Sequence, residues 1–393
     1  MPFVLPPSML DSDRVALVLA YGKLSVLEAC TVFGKSVKQA EAPIERVSVL
    51  HVEHITKDYV RELAGTHKLA PLASMVDSAG GDQSHLLDLL KSVLEEKSNV
   101  SLSGYDLEEE EYEEMVRTML DGLRESGLKK VRLLRPKGNE LMSEDILSRR
   151  AFDVVAFPYR SGYALGPTIW VPDSASMRRR GTRKPAPRPE IALSPRLART
   201  LLNLAGLRPG MTVLDPFCGS GTILMEAYGR SIRCLGLDSS ASMVQEAREN
   251  LRWSSGGIAG TRYDIRKGDA TDLKLMLRGS KVDAVVTEPL LLPKLEARPK
   301  TATAHAMVEQ SAIVYNDALA SMSGSIVPGG RIVVVVPVIL TMEGDEVTVA
   351  LEGRRLGLRL HQPGPVGFEY PVRLSFESTR WIRRAVYVFE SLS

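Results

Sequence analysis

Apolar and polar positions alternate in short blocks along this chain, and the period of the blocks switches between that of strands and that of helices. Near the start, Val15-Ala-Leu-Val-Leu-Ala20 and Val47-Ser-Val-Leu-His-Val52 read as strands. Ser25, as N-cap, opens a helix reaching about Phe33, and Asp58 to Ala64 is a short helix stopped by Gly65. Thr66 to Ala73 is a third extended piece, and the βαββαβ-like rhythm predicts a small ferredoxin-like unit over residues 1–80. A second α+β unit follows over residues 81–173. Its pattern gives a helix from Leu86 to Glu96, a strand at Val100-Ser-Leu102, a longer helix from Glu108 to Ser126 and an extended Lys130 to Leu134. A helix from Ser143 to Arg150 and a hairpin from Phe152 to Val171, turning near Arg160-Ser-Gly162, complete it. The glutamates Glu108 to Glu111 suit the positive end of a helix dipole and read as a solvated helix start, not a metal site.

From Ser194 the alternation becomes that of a doubly wound α/β domain, over residues 191–393. Ser194 is an N-cap with Pro195 at the first helical position. Strands are predicted at Met211 to Leu214, Ile232 to Leu237, Tyr263 to Lys267, Val282 to Val286, Arg331 to Val336 and Ala385 to Phe389, with a long helix from about Ala304 to Met322. Pro328-Gly-Gly330 reads as a turn before a valine-rich strand whose two-sided apolarity predicts a central parallel position.

Composition narrows the partners. The net charge is only +2, so a nucleic-acid surface requires local clustering. One cluster is Met177 to Pro189, with five arginines, one lysine and no acid. Its prolines and glycine oppose continuous helix, which predicts a basic linker over residues 174–190. That run is either a solvated connector or a grip on phosphates. The three cysteines, Cys30, Cys218 and Cys234, match no zinc spacing and fit a reducing, intracellular setting. No apolar stretch has membrane-spanning length, and Met1-Pro-Phe-Val-Leu-Pro-Pro7 lacks the charged start of a secretory signal. A cytoplasmic location is the expectation.

The chemistry concentrates at Asp215-Pro216-Phe217-Cys218-Gly219-Ser220-Gly221-Thr222, between an apolar strand and a helix. Gly-x-Gly allows a tight turn and lets backbone approach a ligand. A second strand ends in Asp238, placed to accept hydrogen bonds from ribose hydroxyls. The loop lacks a third glycine and opens with an acid, which disfavours a pyrophosphate. It suits S-adenosylmethionine, with its amino group and sulfonium.

These residues resemble the THUMP-domain tRNA guanosine-10 N2-methyltransferases. The likeness is strongest over Arg188 to Asp238, through Pro189, Leu193-Ser-Pro-Arg-Leu-Ala-Arg199 and Asn203-Leu-Ala-Gly206, and continues in Gly162-Tyr-Ala-Leu-Gly166 and Arg384-Ala-Val-Tyr-Val-Phe389. It implies a Rossmann-like class I methyltransferase domain preceded by ferredoxin-like and THUMP units, with S-adenosylmethionine held by the loop, by Asp238, and by Asp269 and Ala270 at the adenine. Relatives carry Asp or Asn, then Pro-Pro and an aromatic, after the fourth strand, where a side-chain oxygen and a proline carbonyl accept from the target amine and the ring stacks on a flipped base. This chain instead has Thr287-Glu288-Pro289-Leu290-Leu291-Leu292-Pro293. Glu288 and Pro289 are the candidate catalytic positions, with Leu290 or Leu291 covering the base.

The implied substrate is tRNA. Lys129, Lys130, Arg132, Arg135 and Lys137, with Arg178, Arg179, Arg180 and Arg183, are the candidate RNA contacts. Relatives often work with a small zinc-binding partner protein. Three alternatives stay open: an RNA-binding protein that has lost methyl transfer, a scaffold that binds no RNA, and a nucleic-acid adenine N6 methylase.

Overall fold

The computed structural model describes residues 12–53, 55–188, 193–256, 262–289, 295–362, 369–374 and 381–392. It divides into two units, the first running through Ala175 and the second starting at Ser176.

The first unit holds two sheets. Strands β1 (Arg14–Leu19), β2 (Val37–Ile44), β3 (Val47–Val52) and β4 (Thr66–Pro71) form an antiparallel sheet in the order β2-β3-β1-β4, with helices α1 (Lys23–Phe33) and α2 (Lys57–Glu62). This is the ferredoxin-like arrangement, completed by β2, a strand the hydropathy pattern does not reveal. It is a sheet edge with only Val37 buried, so it carries no inward apolar alternation. Ser25 is not the N-cap of α1. The helix starts one turn earlier behind Gly22 (φ 52°), and the buried Ser25 Oγ accepts the Tyr21 N–H at 2.9 Å.

The second sheet runs β5-β9-β8-β6-β7, from β5 (Ser74–Val76), β6 (Asn99–Gly104), β7 (Arg132–Leu133), β8 (Ala151–Tyr159) and β9 (Gly162–Pro167), with α3 (Ser84–Lys91), α4 (Glu109–Glu125) and α5 (Ser143–Arg149). Since β5 pairs with β9, the change of sheet falls between Pro71 and Ser74, before the boundary expected at residue 80. Glu111 Oε2 accepts the Glu108 N–H at 3.0 Å, so the acidic run does cap a helix. Lys68 of β4, 1% exposed, donates to Asp153 of β8 at 2.8 Å and to Ser103 of β6 at 2.6 Å, joining the two sheets through a buried ion pair.

The second unit is one large sheet ordered β12-β11-β10-β13-β14-β18-β16. Its strands are β10 (Thr212–Asp215), β11 (Arg233–Asp238), β12 (Tyr263–Lys267), β13 (Val282–Thr287), β14 (Ile326–Leu340), β15 (Glu346–Thr348), β16 (Leu358–Leu360), β17 (Val372–Arg373) and β18 (Ile382–Ser391). Its helices are α6 (Ser174–Thr182), which begins just before the unit does, α7 (Pro195–Leu204), α8 (Thr222–Tyr228), α9 (Ala241–Ser254), α10 (Lys274–Leu277) and α11 (Thr301–Ser323). Strands β12, β11, β10, β13 and β14 are parallel, and β18 inserts antiparallel beyond β14. The valine-rich strand is therefore central but parallel on one side only. Pro328-Gly-Gly330 lies within β14, where the register against β13 jumps from Val282–Ile326 to Ala284–Arg331. The sheet order reverses at β10, so the crevice of this unit opens at the carboxyl ends of β10 and β13. No described helix is long and apolar enough to cross a membrane.

Candidate active site

Residues 215–222 turn sharply out of β10 because Gly219 (φ 49°) and Gly221 (φ 83°) adopt left-handed backbone. A side chain on Gly221 would press on Ala247 and Leu251 of α9 at 3.1–3.3 Å. One on Gly219 would meet nothing within 4 Å, so this backbone faces open space. The Cys218 N–H donates to Leu237 O at 2.8 Å and the Gly219 N–H to Asp238 Oδ2 at 2.9 Å, fastening the loop to the end of β11. Asp238 Oδ1 accepts the Ser240 N–H at 2.9 Å. Each of its oxygens keeps a second lone pair for a further donor. Asp269 sits exposed past β12, with Oδ1 accepting from the Thr271 N–H at 2.9 Å and Thr271 Oγ1 at 2.8 Å; those bonds lower its pKa. Ala270 beside it is buried.

Two carboxylates differ from their sequence reading. Asp215 does not face outward. It is 1% exposed, and its Oδ1 accepts from Thr287 Oγ1 at 2.7 Å and from the Phe217 N–H at 3.2 Å, tying β10 to the end of β13. Burial pushes its carboxyl up to about 7, with Asp238 and Glu288 adding repulsion. Cys218 is enclosed as well, and burial pushes its thiol well up. Glu288 lies at the carboxyl end of β13, its side chain only 9% exposed, in an ion pair with the Arg384 Nε of β18. Local motif reading misses this partner of Glu288, since it stands 96 positions away. Pro289 is buried beside it. Leu290 and Leu291, the two candidates for covering a base, lie outside the described residues.

The basic run departs most from expectation. Its first half is the helix α6, despite Gly181. Arg180 is bidentate on Glu226 of α8, at 2.6 and 3.0 Å, and is only partly exposed. Lys184 is buried against the glycine loop, donating to Ser220 Oγ at 3.2 Å and Thr222 Oγ1 at 2.8 Å, and burial lowers its pKa to about 8. Asn250 of α9 binds both the N–H and the carbonyl of Ala186, at 2.9 and 3.1 Å, and donates to Ser220 O at 2.9 Å. Arg188 pairs with Glu246. Residues 180–188 thus form a clasp over the loop, while Arg178, Arg179 and Arg183 are exposed.

In the first unit Lys129, Lys130, Arg132 and Arg135 are all exposed, but Lys130 pairs with Glu96 at 3.2 Å and Arg135 with Glu113. The Lys137 side chain lies outside the description. Among the described residues, no group of three His, Cys, Asp or Glu side chains gathers to hold a metal ion.

Comparison with known proteins places this geometry. Residues 180–337 match the family described as RMKL-like, methyltransferase domain. The tRNA (guanine(10)-N2)-dimethyltransferase of Methanothermobacter thermautotrophicus is 36% identical over 173 residues, 44% of this chain and 46% of that protein. The enzyme of the same name from Pyrococcus abyssi is 38% identical over 111 residues, 28% of this chain and 32% of that protein. The chain thus spans less than half the length of these relatives. Among solved structures, TrmN from Thermus thermophilus is similar over 96% of this chain and 99% of its own, with TM-score 0.54 and 19% identity. The structure of SMU.472 complexed with SAH covers 96% of this chain and 98% of that one, at TM-score 0.50 and 12% identity. At those identities the likeness concerns the fold.

Proposed function

Because residues 180–337 match the RMKL-like methyltransferase domain family, we propose that this protein methylates the exocyclic N2 amine of a guanosine in tRNA, with S-adenosylmethionine as donor. The observation that carries the reading is the convergence of the glycine loop, Asp238 and Glu288-Pro289 at the carboxyl ends of the neighbouring strands β10, β11 and β13. The residues fit the donor: the Gly219 backbone opens on free space, and a buried carboxyl that burial holds near neutrality, Asp215, gains from a nearby cation. When bound, S-adenosylmethionine supplies an activated methyl on a sulfonium. Asp238 accepts from the ribose, and Asp269 from the adenine amino group. Glu288 and the Pro289 carbonyl would accept hydrogen bonds from the two amine N–H groups, which keeps the nitrogen lone pair aimed at the methyl, and Glu288 or water would take the one proton released. Arg384 holds the Glu288 carboxylate in an ion pair, and that carboxylate would stabilise positive charge developing on the amine. No metal or covalent enzyme intermediate is needed for such a transfer.

The target at position 10, and a small zinc-binding partner, belong to the same reading through the likeness to the tRNA enzymes. Arg179 and Arg183 are the members of the basic run offered to RNA. A cytoplasmic setting suits three buried, unlinked cysteines. Mass spectrometry of nucleosides from tRNA incubated with protein and S-adenosylmethionine tests the proposal. N2-methylguanosine or its dimethyl form is the expected product, and N6-methyladenosine would replace the reading with an adenine methylase. Cofactor uptake with no methylated nucleoside would favour the second reading, an RNA binder whose Glu288 is committed to Arg384.

A further inference from the structure

The buried ammonium of Lys184 has no obvious reason to exist in a structural connector. Its residue is 4% exposed, and a charge so enclosed is costly unless something requires it. Among the described residues no carboxylate lies within ion-pair distance of it. Its partners are two hydroxyls, Ser220 Oγ and Thr222 Oγ1, and both belong to the glycine loop. The nearest acid acting on it is Glu246, already paired with Arg188. Lysine can only donate, so both hydroxyls must accept, and each is left with its own O–H to donate elsewhere. The same short segment is fixed at Ala186 by Asn250, which also holds Ser220 O, so the clasp grips one residue of the loop by side chain and backbone together.

We propose that Lys184 is a positioning residue for the cofactor: through the Ser220 and Thr222 hydroxyls it sets the rotamers and path of the loop, so cofactor affinity depends on a residue outside the loop. This rests on the crevice being the S-adenosylmethionine site. A lysine buried at this point also accounts for part of the basic run without any role in gripping RNA.

Calorimetry on the full chain tests it, with S-adenosylmethionine as titrant and K184M, S220A/T222V and the triple variant beside the unaltered protein. K184M weakens uptake at least tenfold, and S220A/T222V does the same. Adding K184M to S220A/T222V costs nothing further, because the lysine acts only through those hydroxyls. Affinity for tRNA, followed by fluorescence anisotropy, stays within twofold in all variants. If K184M does not fold, S220A/T222V and a K184Q variant carry the same expectation. Uptake by K184M equal to that of the unaltered protein, losses that multiply in the triple variant, or a parallel loss of tRNA affinity overturns the inference. No uptake by the unaltered protein sinks instead the reading of the crevice.

Discussion

Asp215→Asn separates the stability of the second unit from its proposed chemistry. The Asp215 carboxyl is raised from 3.8 to about 7, first by burial. A carboxyl raised on folding leaves stability intact below its unfolded pKa and erodes it as pH climbs through the folded value. At about 1.36 kcal/mol for each tenfold change in proton affinity, the cost reaches roughly 4 kcal/mol above pH 7. The group is fully enclosed, so solvent screening does not reduce that figure, which holds to order of magnitude. About half of the loss falls between pH 5 and pH 7. Asparagine cannot ionise, yet its oxygen still accepts from Thr287 Oγ1 and the Phe217 N–H. Urea unfolding of the full chain, followed by circular dichroism at pH 5 and pH 8, therefore shows the parent losing about 3 kcal/mol over this interval and D215N losing little. Calorimetry in the same buffers gives the opposite order for function. Affinity for a sulfonium compound rises with pH in the parent as Asp215 ionises, and is weaker and flat in the variant. Parallel pH dependence of stability in the two proteins would refute the argument.

Arg384→Met leaves Glu288 buried without its cation and costs about 3–5 kcal/mol; adding E288Q restores much of that stability but not methyl transfer, as thermal melting and a labelled-methyl assay together check. Gly221→Ala places a methyl group against Ala247 and Leu251 at a left-handed position. It destabilises by about 1–3 kcal/mol and abolishes cofactor uptake, measured by melting and calorimetry. Ser194→Ala removes the oxygen that accepts the Leu197 N–H at 3.1 Å, at about 1 kcal/mol in urea unfolding. Replacing Arg179 and Arg183 with glutamine weakens tRNA binding and lowers the salt slope by about 2, read from anisotropy titrations in increasing salt.

The elements legible from sequence are those whose burial is one-sided or complete. Val47 to Val52 and Val282 to Val286 appear nearly as read because each buries a continuous apolar row. The edge strand Val37–Ile44 is illegible for the opposite reason, since its solvent-facing positions follow no period. Glycines and the acid at the end of β11 locate the crevice, because a tight turn and a strand-end acid that accepts its backbone N–H are local features. What composition misleads about is charge. Arg180, Lys184 and Arg188 fall in a run that reads as either a solvated connector or a phosphate grip, yet each is engaged by a group supplied from residues 36–58 positions away. The inward turn of Asp215 likewise depends on Thr287, 72 positions on. Motif spacing carries no information about partners at such separations.

The counter-ion of Glu288 has a consequence for synthesis. β18 runs antiparallel against β14 over nine residue pairs and brings Arg384 to a glutamate made 96 residues earlier. At roughly 5–20 residues per second, a nascent chain spends several seconds with the glycine turn and β10 to β13 already emerged, β14 unpaired along one side and Glu288 bare. The Glu288 end of the crevice is thus finished last, by the strand that also closes the ladder on β14, so a ribosome-bound chain can gather the glycine turn and Asp238 well before it can gather Glu288 with Arg384.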